Sequence, residues 1–96
     1  MLVLICYDVS TLEPAGQKRL RRVSKICKDY GQRAQLSVFE CEVDPAQWTA
    51  LRRKLLDEVN LEEDSLKFYF LGANWRRRVE QFGIKKSYDP DDPMIV

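Results

Sequence analysis

The chain has 96 residues and a formal net charge of +1, with 45% hydrophobic and 32% charged residues. A chain of this length makes one domain, and so mixed a composition excludes a transmembrane span. It also contains no histidine, so any hydrolytic chemistry has to use carboxylates, hard oxygen-bound metal ions, hydroxyls or the cationic side chains.

The first predicted element is a buried strand over the apolar residues 2–7, and it ends at Asp8. A buried carboxylate without a partner is costly, so Asp8 has to lie near water, pair with a cation or hold a metal. The apolar run has no basic leader and stops at Asp8, which is unlike a signal peptide. We therefore expect a cytoplasmic protein with no membrane partner.

A loop is predicted over residues 9–16, followed by a helix over residues 17–30. Apolar residues recur in this helix at spacings of three and four, as an amphipathic helix requires: Leu20, Val23, Cys27 and Tyr30. Gly31 follows as the predicted helix stop.

Residues 32–43 are rich in β-forming residues but change phase. In one regular strand Leu36 would point to one face, whereas Phe39 and Cys41 would point to the other. A single regular strand therefore cannot bury all of them. A bulge or a tight reversal near Ser37 would reconcile the two halves.

A second helix is predicted from the start signal of Asp44 at the N-cap, Pro45 at the first helical position and Gln47 at the third. It ends near Asn60, and residues 66–71 form the next strand. The order is strand, helix, two strand halves, helix and strand. This order predicts the α+β class and a ferredoxin-like β-α-β-β-α-β fold, with both helices on one face of an antiparallel sheet.

Residues 1–73 are predicted to form this core, and residues 74–96 a C-terminal extension. Residues 79–84 of the extension are a candidate edge strand. Residues 93–96 are too apolar for a free tail, so we expect them to pair as a strand with a sheet edge of a partner subunit.

Two basic zones lie on this nearly neutral chain. The first consists of Lys18, Arg19, Arg21, Arg22, Lys25 and Lys28, with Arg33 soon after, and the second of Arg76, Arg77, Arg78, Lys85 and Lys86. Such zones are typical of proteins that bind phosphate backbones, although a solvated helix face produces the same pattern. Phe39 and Trp75 are candidate surface aromatics, because each lies beside polar or basic residues.

The three cysteines do not predict a disulfide framework or a zinc site. Cys6, Cys27 and Cys41 are odd in number, far apart in sequence and at apolar positions of their elements. We expect them to be reduced thiols that pack as small hydrophobic residues.

Three segments carry a family pattern. They are Tyr7-Asp8-Val9, Arg19-Leu20-Arg21-Arg22-Val23 and Tyr30-Gly31-Gln32-Arg33-Ala34-Gln35-Leu36-Ser37-Val38-Phe39-Glu40. Their order and spacing, with the chain length and the Pro-Met-Ile-Val ending, resemble the second CRISPR-associated protein family, the small subunit of the spacer-acquisition machinery. The resemblance covers nearly the whole chain, and the ending is similar to the version found with one branch of type I systems.

The resemblance implies a ferredoxin-like homodimer in which the two copies of Asp8 face each other across the two-fold axis. It assigns Asp8 as catalytic residue and ligand of Mg²⁺, with Mn²⁺ as a substitute. Facing carboxylates repel unless a cation lies between them, and a hard divalent ion suits that position. The family positions for nucleic-acid binding or support of the site are Arg19, Arg33, Ser37 and Phe39, and the basic zones add Arg22 and Arg77.

Two functions follow from the resemblance. The first is a Mg²⁺-dependent endonuclease that cleaves RNA or double-stranded DNA at the Asp8 pair. The second is a non-catalytic subunit that bridges two dimers of the large adaptation integrase subunit and positions spacer DNA. A small-molecule regulatory domain is a third reading, but the sequence lacks a convergent polar pocket, and fold alone does not decide function. Without the resemblance, Asp8 is more simply a strand-end aspartate that pairs with an arginine or caps a loop.

Overall fold

The computed structural model describes residues 1–72 and 79–84. The elements in chain order are β1 (Leu2–Asp8), α1 (Pro14–Tyr30), β2 (Gln32–Gln35), β3 (Val38–Glu42), α2 (Pro45–Glu58), β4 (Ser65–Phe70) and β5 (Val79–Gly83). All the strand pairs are antiparallel, and the order across the sheet is β2-β3-β1-β4-β5. The predicted α+β, ferredoxin-like β-α-β-β-α-β fold is confirmed, with β5 added beside β4.

The core lies between the two helices and one face of the sheet. Successive side chains of a strand point to opposite faces, so alternate strand residues meet the helices. The fully buried apolar residues are Val3, Ile5, Phe39, Cys41, Leu66 and Phe68 from the strands, and Val23, Cys27, Leu51 and Leu55 from the helices. Each large apolar side chain contributes about 1.5–3 kcal/mol on leaving water. Within the described residues, the opposite face of the sheet carries no helix.

Helix α1 begins at Pro14, three residues before the start predicted from its periodicity. Proline suits the first helical position, because its fixed φ is helical and its missing N–H would have had no partner there. The predicted loop over residues 9–16 is therefore wrong for its last three residues.

The end of α1 is set by Gly31, as predicted, but not through a left-handed turn. The backbone there is extended, with φ of −164°. A Cβ at this position would collide with the Glu40 carbonyl oxygen and lie 2.9 Å from the Cα of Cys41. Glycine is needed because β3 passes close to the helix end.

The predicted reversal near Ser37 is confirmed. β2 and β3 form a hairpin joined by Leu36 and Ser37, and their register shifts between Arg33 and Gln35. The tight turn separates the two phases of residues 32–43, so that Phe39 enters the core while Leu36 is 81% exposed at the tip.

Helix α2 starts at the predicted cap. The Asp44 carboxylate accepts a 2.7 Å hydrogen bond from the Gln47 amide, and the Gln47 side chain accepts a 2.9 Å hydrogen bond from the Asp44 amide. This reciprocal capping box satisfies amides that the helix itself leaves without acceptors.

The C-terminal part is described only through β5. This strand pairs with β4 of its own chain, so part of the predicted extension joins the sheet. The expected pairing of residues 93–96 with a partner subunit falls outside the described residues and stays a prediction. Neither helix is long and apolar enough to cross a membrane in the part of the chain that the structure describes.

All three cysteines are free thiols. Cys27 and Cys41 are fully buried, and burial raises their pKa values to about 12 and about 11. Cys6 is half-buried. The two core thiols act as small hydrophobic residues, as predicted.

Candidate functional site

Asp8 is the last residue of β1, and its exposed side chain lies on the helix-free face of the sheet. It pairs in register with Ser65 of β4, and Lys67 lies one step further along the same face. These residues line a cleft of about 150 Å³ together with Cys6, Tyr7, Tyr69 and Gln81. The cleft therefore combines a carboxylate, hydroxyls, an amide and a lysine.

The sheet face beside Asp8 is largely apolar. Leu4 and Cys6 are half-buried on it, and Leu71 is 44% exposed at its edge. A groove of about 450 Å³ crosses this face and is lined by Leu4, Cys6, Ala34, Gln35, Val38, Glu40, Tyr69 and Leu71. Apolar sheet faces are normally covered by a second layer, so this surface is suited to a protein contact.

The described residues of one chain offer too few donors around Asp8 for a strong metal site. Among residues 1–72 and 79–84, no group of three or more carboxylates and thiols could hold a metal ion. Asp8 is the one carboxylate among the described residues of its cleft, which also contains Lys67. Mg²⁺ keeps several waters and needs only one or two carboxylates when phosphates complete its shell. Asp8 from two copies would meet that minimum.

A second, larger groove lies on the helix side of the sheet, between α1 and the β2–β3 hairpin. Its volume is about 530 Å³, and it is lined by Tyr7, Leu20, Arg21, Ser24, Lys25, Lys28, Arg33, Leu36 and Ser37. Four of these described residues are cationic and none is acidic, although Lys25 also pairs with Asp29 at 3.6 Å. The groove is therefore an electropositive surface suited to phosphate groups.

Arg33 is held in a defined position at the rim of this groove. It donates a 2.6 Å hydrogen bond to the Ser24 hydroxyl, and its guanidinium lies 5.1 Å from the centre of the Phe39 ring. The prediction that Phe39 is a surface aromatic is wrong, because it is fully buried. It pairs with Ile5 on the core side of the sheet and stacks on Tyr7 at 6.2 Å. The buried Phe39 ring therefore packs against the Arg33 guanidinium from the core side.

Ser37 and Arg22 have different places relative to the groove. The Ser37 carbonyl accepts a 3.1 Å hydrogen bond from the Tyr7 amide, which ties the hairpin to the residue before Asp8. Arg22 is exposed on α1 and pairs with Glu58 of α2 at 3.4 Å. Arg22 therefore faces α2 and does not line the groove.

Arg19 points into the fold. Its Nε and Nη2 atoms donate to the Asp64 carboxylate at 2.9 and 3.1 Å, and Nη2 also donates to Glu63 at 3.0 Å. Its side chain is only 15% exposed. These bonds separate Arg19 from the exposed cations of the first basic zone.

Asp64 was not singled out by the sequence, where it is one of several acids in residues 57–64. Its carboxylate is fully buried and also accepts hydrogen bonds from the Ser10 and Asn60 amides, at 3.1 and 2.8 Å. Burial alone would raise the pKa of Asp64, but the Arg19 guanidinium and the two amides outweigh it and hold the pKa below 3.8. In the sequence, the feature that could have singled out Asp64 is its position directly before a buried strand.

The structure brings together only some of the predicted site residues. Arg33, Ser37 and Phe39 meet beside the basic groove, whereas Asp8 lies on the opposite face at the same end of the sheet. Arg77 lies outside the described residues.

Comparisons with known proteins identify one family. The sequence model of the family "CRISPR associated protein Cas2" matches residues 1–79. A "CRISPR-associated endoribonuclease Cas2" of Nitratidesulfovibrio vulgaris is 62% identical over 96 residues, which are 100% of this chain and 94% of that protein. A "CRISPR-associated endonuclease Cas2" of Halalkalibacterium halodurans is 53% identical over 95 residues, or 99% of each chain. The crystal structure of Streptococcus pyogenes Cas2 at pH 6.5 has a TM-score of 0.70 and 54% identity, and the match covers 86% of this chain and all of that one.

Proposed function

Because this chain belongs to the CRISPR-associated Cas2 family, we propose that it is a dimeric, metal-dependent endonuclease that hydrolyses phosphodiester bonds in RNA or double-stranded DNA. Its relatives are named as an endoribonuclease and an endonuclease, which supports a nuclease role at the level of the family. The dimer, the metal and the catalytic use of Asp8 are the finer parts of the proposal.

The observation that carries the proposal is the position of Asp8 at the rim of an apolar, helix-free sheet face. A second copy that covered this face about a two-fold axis would bring a second Asp8 toward the first. Isologous contacts of this kind are the commonest way in which identical chains associate. The proposed site is therefore shared between two chains.

Asp8 from each copy would hold Mg²⁺, with Mn²⁺ as a substitute. The ion would neutralise charge on the scissile phosphate and make a water molecule more acidic. Ser65 and Gln81 offer neutral oxygens in the same cleft, and Lys67 offers a cation to a phosphate oxygen. The basic groove would hold the flanking backbone.

A second candidate function has a specific observation in its favour. The basic groove and Asp8 lie on opposite faces of the sheet, so nucleic acid in the groove need not approach the carboxylate. That arrangement suits a non-catalytic subunit that bridges dimers of the large adaptation integrase subunit and positions spacer DNA.

The deciding experiment titrates Mg²⁺ and Mn²⁺ against cleavage of RNA and of double-stranded DNA by the wild type and Asp8→Asn. We expect Asp8→Asn to reduce cleavage by about a hundredfold or more while nucleic-acid binding is retained. Asp57→Asn is the matched control, because it makes the same chemical change at an exposed position of α2 that lines neither the cleft nor the groove.

Equal cleavage by the wild type and Asp8→Asn, each purified to the same standard, would refute the catalytic role. If the wild type binds nucleic acid but cleaves neither substrate with Mg²⁺ or with Mn²⁺, the bridging function would be favoured. Binding itself is tested by reversing groove cations, as in Lys25→Glu, which should weaken binding to all sequences and lower its salt dependence.

A further inference from the structure

We propose that Arg19 and Asp64 form a buried clamp that positions Asp8, and that Arg19 is a positioning residue which contacts no phosphate. The inference rests on the proposed function where it concerns cleavage. Its claim about the geometry of the β1 end stands on the hydrogen bonds alone.

The clamp is a planar fork-to-fork pair. Two nitrogens of Arg19 donate to the two oxygens of Asp64, at 2.9 and 3.1 Å. Bidentate pairs of this kind fix orientation as well as distance. With its carboxylate fully buried, Asp64 depends on this partner, because an unpaired buried charge is strongly unfavourable.

The same carboxylate holds the chain on the far side of Asp8. The Ser10 amide, two residues after Asp8, donates to Asp64 at 3.1 Å. This bond sets the direction in which the chain leaves β1. Val9, between Asp8 and Ser10, is buried, so the bond and the packing act together on the residue next to the carboxylate.

Asp64 also controls the strand against which Asp8 is paired. It directly precedes Ser65, the register partner of Asp8 in β4. Its own carbonyl accepts a 2.8 Å hydrogen bond from the Ile84 amide at the end of β5. A Cβ at Gly83 would collide with that carbonyl oxygen, so the three strand ends are tightly packed around Asp64.

The geometry leaves Arg19 poorly suited to a phosphate. Its Nε and Nη2 atoms are used within the protein, and most of its side chain is covered. Arg21 and Lys25, by contrast, are exposed and line the basic groove. Arg19 therefore acts on the site through Asp64.

The test compares Arg19→Met and Arg19→Lys with Glu63→Gln in the full chain. Lysine keeps the positive charge but not the planar fork. If Arg19 contacted a phosphate, lysine would preserve that contact, whereas it should break the clamp. Glu63→Gln removes the negative charge of the exposed partner of the same guanidinium and leaves Asp64 in place, which makes it the matched control.

The first measurement is hydrogen exchange of backbone amides. We expect exchange at Ser10 to accelerate about tenfold or more in both Arg19 variants, with Glu63→Gln close to the wild type. The second measurement is the salt dependence of double-stranded DNA binding. Its slope should be unchanged in both Arg19 variants, because no phosphate contact is lost.

Where the wild type cleaves, kcat should fall about tenfold to a hundredfold in both Arg19 variants, with KM changed by less than about twofold. The inference would be overturned if the Ser10 amide exchanged as slowly in both variants as in the wild type. It would also be overturned if the slope of the salt dependence fell by about one in Arg19→Met. An inactive wild type would refute the proposed nuclease function, while the exchange and salt measurements would still decide the clamp.

Discussion

At the scale of residues, two acids that are neighbours in sequence have different environments. Glu63 is more than half exposed, whereas the Asp64 carboxylate is fully buried. Both contact Arg19, but only Asp64 also accepts backbone amides from two loops. The difference follows from burial, because a surface pair contributes little while a broken buried pair leaves a charge without compensation.

Asp64 should therefore dominate the stability of this end of the sheet. Asp64→Ala is expected to lower the free energy of unfolding at pH 7 by about 3–5 kcal/mol. Glu63→Ala should lower it by less than about 1 kcal/mol. Urea denaturation of both variants and the wild type measures the comparison, and equal losses would contradict the assigned roles.

Asp64 also makes the free energy of unfolding depend on pH. Its pKa is lowered in the folded protein, so its stabilising contribution is present above the ordinary value of 3.8 and is lost as pH falls through the lower folded value. The stability difference between the wild type and Asp64→Ala should shrink over that acid range. A difference that stayed constant from pH 7 down to acid unfolding would contradict it.

At the scale of elements, local chemistry and close packing decide where helices and strands begin and end. The capping box starts α2 where the sequence predicted. Pro14 starts α1 earlier than the apolar periodicity indicated, because Pro14, Ala15 and Gly16 provide no large apolar side chain to the pattern. Gly31 ends α1 for a tertiary reason, the close approach of β3.

Gly31→Ala tests this last point. The added methyl would collide with the Glu40 carbonyl oxygen and crowd Cys41, so we expect a loss of about 1–3 kcal/mol in the free energy of unfolding. Gln32→Ala, at the next and exposed position, should change it by less than about 0.5 kcal/mol. Equal stability of Gly31→Ala and the wild type would show that β3 can move away at little cost.

At the scale of the whole molecule, the sheet separates two surfaces. One face combines apolar side chains with Asp8, and the other side carries a basic groove between α1 and the β2–β3 hairpin. We propose the first for a second copy of the chain and the second for nucleic acid. Their separation explains why nuclease and bridging functions can both be proposed for one fold.

The dimer proposal predicts that Leu4→Lys dissociates the protein. Leu4 lies on the apolar face, opposite Tyr69 in β4 and Glu40 in β3, so a buried lysine there would be costly in the dimer but solvated in the monomer. The monomer should keep its fold, because Leu4 points away from the core. Sedimentation measures the change, and Leu12→Lys, in a loop where leucine is 94% exposed, is the control. An undiminished dimer in Leu4→Lys would place the contact elsewhere.

Several features could be predicted from sequence because they depend on neighbours along the chain. The element order, the cap at Asp44 and the reversal near Ser37 all follow from local spacing and turn chemistry. Phe39 could not be placed correctly, since its polar sequence neighbours indicated a surface position. Only the pairing with β1 turns it into the core.

The fold class, Asp8 and the basic helix could all be identified without a structure, because strand periodicity and charge are properties of neighbouring residues. The hydrogen bonds between Arg19 and Asp64, 45 residues away, and the placement of Asp8 and the basic groove on opposite faces became visible only in the fold. Burial and strand register bring together residues that are distant in sequence, and both depend on packing that no local pattern records.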